Sequence, residues 1–187
     1  GGGGFVAFRS KGATRAGVNV GGIFFPGFPV GDSEAGTYVA LVAVPYDFPV
    51  TTSLLLTATD EASNAVSRSV PSEIKPRRFP SGIVEIKEEF LRQRLPELLP
   101  ERPSISEDRL LEAFLEVNRD KRRQAEETKH RVSAKTQGTP LWQDAFLQPR
   151  NTKVFSNFAE TRTYRFRGQD VDTQVHFGYD LASLRES

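Results

Sequence analysis

Thr163-Tyr164-Arg165-Phe166-Arg167-Gly168-Gln169-Asp170-Val171-Asp172-Thr173-Gln174-Val175-His176 is the stretch on which the fold reading turns. Thr163 to Arg167 alternates strictly, as a strand with two unlike faces does. Gly168-Gln169-Asp170 carries turn chemistry, and Val171 to His176 reads as the returning strand of a hairpin. The hairpin therefore delivers His176 from a sheet, a rigid platform for a ligand-binding side chain.

His176 opens a second informative run, His176-Phe177-Gly178-Tyr179-Asp180-Leu181-Ala182-Ser183. On a straight strand, residues four apart share a face but lie roughly 13 Å from each other, too far to hold one ion. Gly178 and the flanking aromatics disfavour a helix. The reading that unites them is a strand ending near His176, a bend at Gly178, and Asp180 folded back toward the imidazole. On spacing alone, a His and an Asp at this separation are more often a surface pair or a satisfied hydrogen bond than ligands of one ion.

Ser156, Phe158 and Arg162, followed by His176, Gly178, Asp180, Leu181 and Ala182, resemble the opening of the lysostaphin/LytM-type zinc peptidase domain. In that family a Ser-x-Phe-Gly-x-x-Arg segment leads into His-x-Gly-x-Asp-Leu-Ala. Here Ala159 stands where the family has glycine. The resemblance implies Zn2+ as cofactor, with His176 and Asp180 as its first two ligands. It also implies peptidoglycan stem or cross-link peptides as substrate, and the bacterial cell envelope as location, on the periplasmic side. An inner-membrane anchor would lie outside these residues. The family's third ligand is the second histidine of a downstream His-x-His motif, and further histidines assist catalysis. The alternative is a non-catalytic envelope module, binding or activating, built on a degenerate domain of this type. In a third reading, adhesion or scaffolding, His176 and Asp180 are ordinary surface groups.

The sequence has 187 residues and two histidines, His130 and His176. A catalytic zinc takes three protein ligands and leaves one position for water. His130 sits in the charged run Glu126-Glu127-Thr128-Lys129-His130-Arg131 and reads as a solvated helix residue. The sequence thus offers two ligands, and weak zinc binding without hydrolysis is expected of these residues alone. The opening Gly1-Gly2-Gly3-Gly4 and the absence of methionine read as an internal piece of a longer protein.

Composition sets the class. Hydrophobic residues make up 37% and charged residues 26%, which fits a folded protein. The net charge of +1 gives no bulk attraction to nucleic acid, and no concentrated basic and aromatic stripe marks a nucleic-acid surface. With no cysteine, thiol catalysis and thiolate metal sites are excluded. No Gly-Lys-Ser/Thr loop, nucleophile elbow, apolar run of membrane-spanning length or signal peptide is present. Glu88 and Glu89 are a carboxylate pair without glycosidase context.

The expected fold class is mixed, mainly β, with a helical connector. Residues 1–71 form an immunoglobulin-like, sandwich-like β domain, 72–147 a linker and α-helical middle, and 148–187 the first strands of an antiparallel peptidase domain. Strands are expected at Tyr38–Val44, Leu54–Thr59 and Ala65–Val70, with hairpin chemistry over Asp60–Asn64. Thr57 to Asn64 resembles the last hairpin of bacterial immunoglobulin-like domains. Phe24-Phe25-Pro26-Gly27-Phe28-Pro29 reads as an aromatic loop packed over the sandwich edge. Pro71 to Pro80 is a candidate linker. Ile86, Phe90 and Leu91 lie at helical spacing, with Pro96 ending that element. Ser104-x-x-Glu107 resembles a capping box. Leu110, Leu111, Phe114 and Leu115 form the apolar stripe of a longer helix, and Arg119-Asp120-Lys121-Arg122-Arg123 reads as its solvated face because acids are interspersed, with contact to phosphate or an anionic polymer as the alternative. Trp142, Phe146 and Leu147 are expected to anchor the helical segment to the next domain.

Overall fold

The computed structural model describes residues 1–31, 36–51 and 53–184; Arg185–Ser187, the last three residues of the expected peptidase segment, lie outside that description. The chain is mixed and mainly β. It divides into two compact units, Gly1–Arg78 with Gly138–Asp144, and Phe79–Gln137 with the residues from Ala145 onward.

The first unit is a six-stranded antiparallel sheet built from β1 (Gly2–Arg9), β2 (Arg15–Val20), β3 (Ile23–Pro29), β4 (Thr37–Val44), β5 (Leu54–Thr59) and β6 (Ala65–Val70), in the order β1-β4-β3-β2-β5-β6. The aromatic run expected as a loop is strand β3. Its first half, through Pro26, pairs with β2, and its second half, from Gly27, pairs with β4. Proline cannot donate to a ladder, so it is tolerated where the strand changes neighbours. At that corner a Cβ on Gly27 would stand 2.5 Å from Phe8 Cζ. The sheet curls there and encloses Phe8, Val18, Val20, Ala40, Val42 and Leu54. The β5–β6 hairpin closes with Asn64 N–H donating to Asp60 Oδ1 (2.8 Å) and Asn64 Nδ2 donating to Asp60 Oδ2 (2.9 Å). The opening glycines, which carry no strand signal, pair with Val44 to Val42 as part of β1.

The second unit joins strands and helices around one core. β7 (Ser81–Ile86) pairs in parallel with β9 (Glu160–Phe166), which pairs antiparallel with β10 (Gln169–His176). Parallel neighbours need a long connection. Here it contains α1 (Glu88–Leu98), a 3-10 turn at Glu107–Arg109, α2 (Leu110–Leu115), a π-helical segment at Glu116–Lys121 and α3 (Arg122–Ser133). Leu91, Leu95 and Leu99 lie four apart, and with Leu110 and Ala113 they close on Ile86 and Phe166 of the sheet. The expected helical middle thus shares its core with the C-terminal strands.

Several local expectations are corrected. Ile86 ends a strand, and Pro96 lies inside α1, two residues before its end. The capping box does not form, because the Glu107 carboxylate accepts hydrogen bonds from Arg92 (3.1 Å) and Arg167 (3.2 Å) instead. Charge-assisted bonds outweigh a neutral cap. The hairpin turn is Arg167-Gly168, both at positive φ (50° and 76°), one residue earlier than expected. Phe146 and Leu147 are 84% and 86% exposed, so neither is anchored by burial.

Candidate metal centre

β10 ends at His176, the chain bends at Gly178, and Asp180 begins β11 (Asp180–Ser183), which pairs antiparallel with β8 (Thr152–Ser156). The two predicted ligands come together, with His176 Nε2 3.3 Å from Asp180 Oδ1. Gly178 contributes differently from expectation. It is outside the left-handed region, and a Cβ there would make ordinary van der Waals contact, 3.8 Å from both Cε1 and Nε2 of His176, so neither backbone freedom nor space demands glycine.

The residues that carry the family resemblance gather around Asp180. Arg162 Nη2 donates to Asp180 Oδ2 (3.1 Å), leaving Oδ1 toward the imidazole. This hydrogen bond, with that of the buried Ser156 hydroxyl, holds the Asp180 carboxyl below the usual carboxylate range despite some desolvation. Asp180 is therefore ionised at neutral pH, the state a metal donor needs. Phe158 packs against Phe177 and Tyr179, with centroids 6.4 and 6.5 Å away, walling the bend with aromatic surface. Ala159, in the family's glycine position, adopts φ 59° and is buried. Its N–H donates to the His176 carbonyl (2.7 Å) and fixes the end of β10.

His176 Nε2 is shut off from solvent and makes no hydrogen bond. A buried polar atom left without a partner costs about 1–3 kcal/mol. Two donors each about 2.1 Å from one tetrahedral zinc lie roughly 3.4 Å apart, and the observed separation is 3.3 Å. The separation is thus compatible with two donors on one ion, and it is equally within the range of a direct ion pair between the two side chains. Among the described residues, no group of three or more His, Cys, Asp or Glu gathers at one point. His130 is exposed on α3.

A second polar network adjoins this corner, and the sequence reading missed it. Asn118, in the π-helical segment, is buried and donates from Nδ2 to Asp172 Oδ2 (2.7 Å). Arg119 donates to Asp172 Oδ1 (3.0 Å) and to the Val171 carbonyl (3.0 Å), so this arginine is paired with the strand while its side chain stays about half exposed, as a solvated face expects. Gln174 Nε2 also donates to Asp172 Oδ2 (3.1 Å). Burial pushes the Asp172 carboxyl up, but the bonds from Gln174, Asn118 and Arg119 outweigh it and leave the group below its ordinary value. The alternation Asp172-x-Gln174-x-His176, polar on one face of β10, was the available signal.

No family model and no curated protein matches the chain. Among the described residues no helix is long and apolar enough to cross a membrane.

Proposed function

We propose that this chain is part of a zinc metalloendopeptidase that hydrolyses peptide cross-links of bacterial peptidoglycan, in the cell envelope. The observation that carries the reading is the solvent-excluded, unbonded Nε2 of His176 facing Asp180 Oδ1 across 3.3 Å. Resemblance of the same segment to lysostaphin/LytM-type peptidases supports it. Bound zinc supplies Lewis acidity and a bound water whose pKa falls to about 7. His176 and Asp180 would hold the ion, and Arg162 orients the carboxylate. A third protein ligand is required in addition to these two.

The test is hydrolysis of purified peptidoglycan by the gene product that carries this chain. His176→Ala and Asp180→Ala are each expected to lower the rate at least about a thousandfold, with folding retained. A wild-type protein that binds peptidoglycan without cleaving it favours the non-catalytic envelope module. Unchanged cleavage by both variants removes the metal reading.

A further inference from the structure

A groove of about 450 Å³ runs beside His176 between the helical segment and β10. Its helical wall presents four cations, Arg119, Arg122, Arg123 and Lys129, against a single carboxylate, Glu126. Its other wall is formed by the consecutive residues from Gln174 to Gly178. Successive strand side chains point to opposite faces. The consecutive strand residues Gln174, Val175 and His176 therefore follow the edge of β10 rather than one face, and Phe177 and Gly178 continue the wall into the bend. β10 is the outer strand of its sheet, in the order β10-β9-β7.

The cations differ in what they already hold. Arg119 is bound to Asp172, Arg123 to Asp120, and Lys129 to Glu126. Arg122 has no carboxylate partner among the described residues. Its Nε donates to the Asn118 carbonyl (3.2 Å) and its Nη2 to Asn118 Oδ1 (2.9 Å). Asn118 is itself held by Asp172, so the guanidinium is aimed by a chain of bonds that reaches the buried carboxylate. A guanidinium has five N–H donors, and these two bonds leave three for an incoming group.

We propose that this groove receives an extended peptide along the open edge of β10, and that Arg122 reads a free side-chain carboxylate on it. Edge pairing supplies affinity through the backbone, and a planar guanidinium supplies selectivity for a carboxylate. The three strand residues of the wall allow edge pairing over about three residues of the peptide, and the bend at Phe177 and Gly178 borders the rest. The choice of a peptide agrees with the proposed peptide-cleaving function and rests on it in part; the choice of a carboxylate rests on Arg122 alone.

The experiment uses the 187-residue chain in the presence of a chelator, so that the zinc reading and this one fail separately. Acetyl-Val-Thr-Glu-Thr-Val-amide and its Glu→Gln counterpart are titrated while backbone amide resonances are followed. The glutamate peptide is expected to bind about tenfold more tightly, with shifts concentrated at residues 174–178. Arg122→Gln is expected to bring the two peptides within about twofold of each other, and Arg9→Gln, in the first unit, to leave the difference intact. Equal affinity of the two peptides for the wild-type chain overturns the proposal without reference to any variant. Shifts away from residues 174–178, or full displacement of the glutamate peptide by equimolar inorganic phosphate, overturn it as well.

Discussion

The two ends of the second unit are built on opposite terms. At one end Leu91, Leu95, Leu99, Leu110, Ala113 and Phe166 close on each other, and hydrocarbon fills the space. At the other, Asp180, Arg162 and Ser156 form a polar corner beside exposed Phe177 and Tyr179, and His176 Nε2 has no hydrogen bond. The first arrangement is what stability alone selects. The second buries a nitrogen that makes no hydrogen bond, an arrangement that calls for an explanation such as a bound ion or water. The Asn118–Asp172–Arg119 network lies between, with Asn118 and the Asp172 carboxylate buried, Arg119 half exposed, and its bonds made.

Substitutions separate the three regions by size of effect. Leu110→Ala removes a side chain of zero exposure and is expected to cost about 2–5 kcal/mol in denaturant unfolding. A smaller loss, about 1–3 kcal/mol, is expected of Asp172→Ala, which strands Asn118 and Arg119. That variant also changes the pH dependence. Because the folded carboxyl titrates below its ordinary value near 3.8, its contribution is fully present above that value and is lost as pH falls through the folded value. The wild type therefore loses stability across that acid window, and Asp172→Asn is expected to flatten the slope there. His176→Ala is expected to cost no more than about 1 kcal/mol, since lost packing is offset by removal of the unsatisfied nitrogen. A loss as large as that of Leu110→Ala would place His176 among the core residues and erase the contrast. The smallest effect is expected of Ala159→Gly. Relief of the left-handed backbone is about 1–2 kcal/mol. A lost buried methyl of about 0.8 kcal/mol and the added chain entropy of glycine cancel most of it. Unfolding midpoints of the two proteins should nearly coincide.

Legibility in the sequence followed the same division. Where one side-chain period ruled a segment, it could be read. β4, β5 and β6 stand within one residue of their expected ends, and the Asp60–Asn64 turn has the expected side-chain bonds. The approach of Asp180 to His176 across a bend was readable as well, although the bend forms without the glycine conformation expected of it. What escaped was set by distant contacts. Gly2 to Gly4 become a strand only because β4 lies beside them. Glu107 leaves its cap for arginines far along the chain, one of them Arg167. Arg119 is half exposed as read, but its pairing with Asp172, 53 residues away, is not written in the local pattern.

Isothermal titration of zinc into this chain, with His176→Ala alongside, bears most directly on the central claim that the unbonded nitrogen is kept for a metal ion. With two of three ligands, the wild type is expected to bind one equivalent at about 10–100 µM, and the variant to show no binding in that range. Zinc binding of equal strength in both proteins, or none in the wild type, would contradict the claim. Affinity below about 1 µM would contradict the two-ligand count.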